Sequence, residues 1–250
     1  MICITIIFSS SIFAKADLKL IDTYLKISGA KEVILSLPSQ IEKGYLENIK
    51  YKNMENIDIK SSFDSNHTIE YFRVELAERF DDVTLKKIIA FYNLPIGKKF
   101  KNSSIDAMDA KNSKDKVLFY EKLGDNIPSY KRLNVLNAFT DRLESAPVAV
   151  HLIGELLGSI NAQLVVSGER SEEIMNSISE QIRDTMFANS FYAYRNFTNK
   201  ELKSIMGYFY SNTGRAEQKI VSGIFKQFIA ESFSQISTQS QHKTASSNVD

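Results

Sequence analysis

The side chains of this chain that could do chemistry are few and widely spaced. His67, His151 and His242 are the only imidazoles, and Cys3 is the only thiol. His151 stands four residues before Glu155 in an otherwise apolar run. On a helix that spacing puts an imidazole and a carboxylate on one face, as a paired acid and base would need. The plainer reading, a hydrogen-bonded histidine in a buried or groove-facing pair, outweighs it. Gln163 lies further along the same run, and His151, Glu155 and Gln163 together mark a candidate groove. Asp81-Asp82 is a potential carboxylate pair, but Asp81 is already explained as a helix cap. Zinc-protease, nucleophile-elbow, Walker and dinucleotide patterns are all missing from the sequence. The expectation is a protein that is not an enzyme, with no catalytic, cofactor-binding or metal-ligating residues to name.

The elements that would hold such residues are announced by a stretch that occurs twice. Phe80-Asp-Asp-Val-Thr-Leu85-Lys-Lys-Ile88-Ile-Ala-Phe91-Tyr92-Asn-Leu-Pro95-Ile-Gly97 returns 117 positions later as Phe197-Thr-Asn-Lys-Glu-Leu202-Lys-Ser-Ile205-Met-Gly-Tyr208-Phe209-Tyr-Ser211-Asn-Thr-Gly214. The match needs no gap, which reads as an internal duplication. Thr198 and Glu201 have the spacing of a reciprocal capping box, and Asp81 with Thr84 offers the simpler cap. Leu85, Ile88, Ile89 and Tyr92, like Leu202, Ile205, Met206 and Phe209, recur at i, i+3, i+4, i+7 and predict one apolar stripe on a short helix. Pro95 suits the first turn of a following helix, and Ser211 suits its N-cap. Gly97 and Gly214 lie inside those following helices, where glycine costs roughly 0.5–1 kcal/mol relative to alanine. Either a positive φ or a close backbone approach by the aromatic pair accounts for them. A phosphate-binding role does not, because a lone glycine is not a Gly-rich loop.

The order Leu-x-x-Ile-x-x-Phe-Tyr-x-x-Pro-x-Gly-Lys resembles the hallmark of a bacterial family catalogued as domain of unknown function 2059. Leu25-Lys-Ile-Ser-Gly29-Ala30 is similar to a segment near the mature start of such proteins. The two copies depart from the hallmark in complementary ways. The first keeps Pro95 but has Leu94 where the family has Ser; the second keeps Ser211 but has Asn212 for the Pro. The resemblance implies an exported, all-helical protein with no established activity, and a structural motif of Phe91, Tyr92, Pro95, Gly97, Tyr208, Phe209, Ser211 and Gly214.

Composition narrows the classes further. The 250 residues carry 31 Lys and Arg against 30 Asp and Glu, so there is no general drive toward nucleic acid. Ten Gly and four Pro are too few for a fold built on many tight turns. Residues 2–13 are apolar and precede Ala14-Lys15-Ala16, the small residues that signal peptidase accepts, so cleavage between Ala16 and Asp17 is expected. That run is too short to span a bilayer, which needs about 20 apolar residues. Removing it also removes Cys3. The mature chain is then expected in the periplasm or outside the cell, without a transmembrane segment.

The predicted fold is an all-α bundle of two tandem related helical units, residues 17–112 and 130–238. A short helix and linker (113–129) joins them, and a disordered tail (239–250) follows. Within the first unit, helices are predicted near 17–28 (closed by Gly29), 30–49, 67–79 (with Ile69, Phe72, Val74 and Leu76 on an imperfect inward stripe), 81–92 and 96–110. A short helix at 114–123, ended by Gly124, comes next. The second unit repeats the plan at 130–143, 147–166, 171–194, the second motif and a last helix to about 236. Residues 147–166 are the most apolar, yet His151, Glu155, Asn161 and Gln163 interrupt them, which fits a central bundle helix better than a membrane span. The aromatic residues Phe187, Phe191, Tyr192, Tyr194, Phe197, Tyr208, Phe209 and Tyr210 either line an apolar groove or form core. The expected role is contact with another protein of the bacterial envelope. The alternative is a carrier for a small apolar ligand or peptide, held between the two halves.

Overall fold

The computed structural model describes residues 15–36, 64–125, 127–143, 180, 184 and 186–246. The described part is all-helical, with no strand. Helix α1 (Leu18–Ser28) starts where Asp17 accepts the amide of Lys19 and stops at Gly29, whose φ of 81° is the left-handed conformation that closes helices. Helix is resumed over residues 30–36. Helix α2 (Ser65–Arg79) begins on the carboxylate of Asp64, which accepts from Asn66 and His67. Its buried residues are Thr68, Phe72, Leu76 and Ala77, while Val74, expected inside, is exposed. Phe72 and Leu76 are buried as expected and Ile69 packs against the core, so Val74 alone departs from the stripe.

Helices α3 (Asp82–Asn93) and α4 (Pro95–Met108) are the first motif copy. A 3-10 turn at Ala110–Asn112 leads into α5 (Ser113–Asp125), which passes through Gly124 instead of ending there. Helix α6 (Tyr130–Arg142) is capped by Ser129. Residues 186–193 are helical and turn at 194–196 into α7 (Asn199–Tyr210) and α8 (Asn212–Ser246), the second copy. The last helix reaches Ser246, well past the expected start of a disordered tail at 239. Its terminal segment is rich in Ser, Thr and Gln but has neither Gly nor Pro beyond Gly223, so nothing breaks the helix.

Packing follows from the stripes. Helix α1 lies against α2 and α3, and α6 lies against α7. Helix α8 crosses back over α2 and α3, and α4 meets α7, so each copy's second helix leans on the other copy's first. Ile21, Leu85, Ile88, Leu136, Phe139, Leu202 and Ile205 lose all contact with water. Each such side chain contributes roughly 1.5–3 kcal/mol by burial. Phe91, not Ile89, completes the stripe of α3, because the aromatic ring is what the other copy meets.

Candidate functional site

The motif residues converge at the crossing of the two helical pairs. Phe91 lies flat on Tyr208, with ring centroids 3.6 Å apart and planes within 1° of parallel. These two residues hold the same register in their copies, so the stack is where the copies face each other. Tyr92 and Phe209 stand edge-on beside it. The glycines explain how each following helix packs so tightly against the backbone that carries the rings. A Cβ at Gly97 would be driven into the carbonyl oxygen of Phe91 and sit 2.9 Å from the Cα of Tyr92. One at Gly214 would be driven into the carbonyl oxygen of Tyr208, 2.7 Å from the Cα of Phe209. Neither glycine has a positive φ, so close approach, and not an unusual backbone angle, is what requires them.

Local capping fixes the geometry in both copies. In α3, Asp81 accepts the Thr84 amide at 2.8 Å and the Thr84 hydroxyl at 2.7 Å, which lowers its pKa. In α7 the capping box is complete: Glu201 N–H donates to Thr198 Oγ1 at 3.2 Å, and Thr198 N–H donates to Glu201 Oε2 at 2.7 Å. Pro95 opens α4, and Ser211 accepts the amide of Gly214 at 3.1 Å at the start of α8. Glu201 also pairs with Lys99 of the first copy at 2.6 Å. The Lys99 hydrogen bond and the Thr198 amide together bring the Glu201 pKa down to about 2.

Beneath the aromatic stack lies a group that the sequence reading passed over. Glu217 of α8 is buried, with 4 % of its surface exposed. It accepts the hydroxyls of Tyr24 at 3.1 Å and of Tyr208 at 2.6 Å, and Tyr92 also hydrogen-bonds to it. Burial pushes its carboxyl up to about 7, against the opposing pull of the three hydroxyls. Burial, joined by the nearby carboxyl, raises all three phenols. Two sequence signals marked Glu217: it falls on the same helical stripe as Ile224 and Phe228, and it stands 117 positions after Phe100.

The described part of the meeting between copies is therefore filled core. Phe191, Tyr192, Tyr194, Phe197 and Phe209 are buried, while Tyr210 is exposed. His151, Glu155 and Gln163 lie outside the described residues. Ala16 is buried and its amide donates to Ala77 O at 2.9 Å; the Asp17 amide donates to Asp82 Oδ1 at 2.9 Å.

Among the described residues, clefts open on the surface instead. One, of about 340 Å³, lies between Pro95, Ile96, Lys99 and Lys200, Glu201, Ser204, and Lys99 is paired there with Glu201. Another, of about 300 Å³, has an apolar floor of Phe119, Leu123, Pro128 and Phe191 and a rim of Lys122, Arg132 and Arg195. Arg132 donates to Asn199 Oδ1 at 3.0 Å and to Tyr194 O at 2.8 Å. Arg195 donates to Tyr192 O at 2.7 Å and lies over the Tyr192 ring at 3.9 Å. No family model, curated protein or solved structure matches the chain.

Proposed function

We propose that this chain is an exported helical module of the bacterial envelope that acts without catalysis, by contact with another protein. The observation that carries the reading is where the apolar surface lies. The crossing of the two motif copies is closed by stacked rings, whereas Val117, Leu118, Ile127 and Tyr130 stand 56 %, 51 %, 77 % and 79 % exposed on the same stretch of chain that carries the cleft residues Phe119, Leu123 and Pro128. Exposed apolar side chains along one short stretch of chain suit a protein contact. The motif supports membership in the domain of unknown function 2059 family, and its residues serve as the joint that holds the module together.

Export rests on Ala14-Lys15-Ala16. Cleavage after Ala16 turns the Asp17 amide into an ammonium facing the Asp82 carboxylate, an ion pair in place of a hydrogen bond from a neutral amide. Intact mass of the protein from the envelope fraction checks it: a species that retains Cys3 sinks the export reading.

The interaction reading is tested by photo-cross-linking side chains placed at 118, 130 and a set of other exposed positions in living cells. A discrete adduct with one partner protein is expected. No adduct from any position removes the reading. The cleft volume of about 300 Å³ and its apolar floor favour a second reading, a carrier of a small apolar ligand. Native mass spectrometry of the freshly purified protein tests it, through a bound mass lost on denaturation.

A further inference from the structure

We propose that the cleft formed by α5, Pro128, α6 and residues 191–195 docks an acidic peptide segment of a partner protein that carries an apolar anchor side chain. This names the partner chemistry of the interaction reading above and rests on it.

The argument starts from charge. Lys122, Arg132 and Arg195 surround one apolar floor, and none has a carboxylate partner among the described residues. Both guanidiniums are held only by neutral acceptors: an amide side chain and a backbone carbonyl for Arg132, a backbone carbonyl and a ring face for Arg195. Burial lowers the pKa of Arg132, the signature of a cation stripped of water without a countercharge in return. A carboxylate placed between them would restore that countercharge. The forks are already fixed by their neutral partners, so little side-chain freedom remains to be lost on binding. The other cleft makes the contrast, for there Lys99 already has Glu201.

Size and surroundings choose the occupant. About 300 Å³ is at the lower end for a small-molecule site, enough for one or two anchoring side chains. Val117 and Leu118 on α5, Ile127 just before Pro128 and Tyr130 at the start of α6 add exposed apolar side chains to the same chain segments that line the cleft. A peptide segment covers such side chains; a free small anion leaves them bare.

The test is fluorescence anisotropy with the full chain and a labelled Asp-Glu-Phe-Leu-Asp-Glu peptide. Binding is expected, with both a Lys-Lys-Phe-Leu-Lys-Lys peptide and an Asp-Glu-Gly-Ser-Asp-Glu peptide at least about tenfold weaker. Lys122→Glu, an exposed change, and Arg195→Gln are each expected to weaken binding by about tenfold or more with an unchanged thermal midpoint. If Arg195→Gln unfolds, Lys122→Glu still decides. Equal binding of the three peptides, or unaltered binding by Lys122→Glu, overturns the proposal. So does displacement of the peptide by decanoate at lower concentration, which favours the carrier. A cross-link from position 118 to residues 144–179 of the same chain also overturns it, because the chain then fills its own cleft. Partner adducts at other surface positions without peptide binding overturn the cleft and leave the interaction reading standing.

Discussion

Phe100 and Glu217 occupy the same register in the two motif copies, and the shells around them differ in a matched way. Phe100 meets Phe139 and Phe209 edge-on at 6.2 and 5.7 Å and stacks on Tyr194 at 5.6 Å. Glu217 meets the hydroxyls of Tyr24, Tyr92 and Tyr208. At the 117-residue spacing, Tyr92 corresponds to Phe209 and Tyr208 to Phe91. Tyr24 and Phe139 are the buried aromatics of α1 and α6, the helices that flank α3 and α7. One hub is therefore built of rings around a phenylalanine, its single phenol, Tyr194, bonded to Ser104 at 2.9 Å, and the other adds a carboxyl together with three phenols. A buried carboxyl without donors is heavily penalised, and hydroxyls without an acceptor are penalised too. The difference teaches that the polar groups belong together as a set, each needing the others.

The sharpest way to break this comparison is to place the carboxyl where the one phenol, Tyr194, is already engaged by Ser104. Phe100→Glu is expected to destabilise by about 4 kcal/mol at neutral pH, through the lost ring and an unpaired buried acid. Adding Phe209→Tyr and Phe139→Tyr in the same chain should recover part of that loss. Urea unfolding measures both. If the triple variant is no better than the single one, the hydroxyls are not what makes room for the acid.

The joint behind each hub comes next. Gly97→Val and Gly214→Val should each lower stability by about 3 kcal/mol, since backbone and not a flexible side chain stands in the way. Equal losses support the equivalence of the copies, and a tolerant site in either one ends it. Gly207 is the internal control. It is exposed, a Cβ there meets nothing within 4 Å, and the first copy has Ala90 at that register. Gly207→Ala should stabilise by about 0.5–1 kcal/mol.

The two hubs should also part company with pH. Glu217 has a folded pKa of about 7, raised from an ordinary value of 4.5. An acid so raised supports the fold fully below pH 4.5, and that support is lost as pH climbs through about 7. The loss is of order 3 kcal/mol, spread over that window and level above it. Glu201 runs the other way. Its folded pKa of about 2 means that its contribution is present above pH 4.5 and disappears as pH falls toward 2. Thermal midpoints across pH 3–9 should therefore decline on both sides of roughly pH 4.5. Glu217→Gln keeps an acceptor for the phenols and should flatten the alkaline side alone. A parent that is flat from pH 5 to 8 removes Glu217 as a titrating group.

Much of the joint was legible in the residues, and the reasons are local. A capping box, an apolar stripe and a glycine inside a helix are each set by neighbours within a few positions, so Thr198, Leu202 and Gly214 announced themselves. The choice between positive φ and close approach for Gly97 was not legible, because the atoms it spares belong to the preceding helix. Glu217 was missed because a single acid in a long helix looks solvent-facing until its stripe is laid beside that of Phe100. Val74 failed for the opposite reason: an apolar residue in a weakly periodic helix gives no phase. The cationic cleft could not be read at all, since Lys122, Arg132 and Arg195 come together only through the packing of α5 and α6 near residues 191–195.

The finest test separates the three phenols from one another. Each hydroxyl hydrogen bond to a carboxylate adds on the order of 1 kcal/mol or somewhat more. The order of effect should follow geometry, with Tyr208→Phe (2.6 Å) costing more than Tyr24→Phe (3.1 Å). Stability alone would not distinguish a lost hydrogen bond from altered ring packing, so the midpoint of the alkaline decline is the better readout. The hydroxyls stabilise the charged carboxylate, and removing one must raise the Glu217 pKa further and move that midpoint to higher pH. In the Phe100 hub, Phe139→Tyr in an otherwise unaltered chain buries a hydroxyl beside Phe100 with no carboxyl to receive it, and should lower stability without moving the midpoint. If Tyr208→Phe shifts the midpoint and Phe139→Tyr does not, the carboxyl and its phenols titrate as one unit. If Tyr208→Phe leaves it in place, the phenols around Glu217 are packing and nothing more.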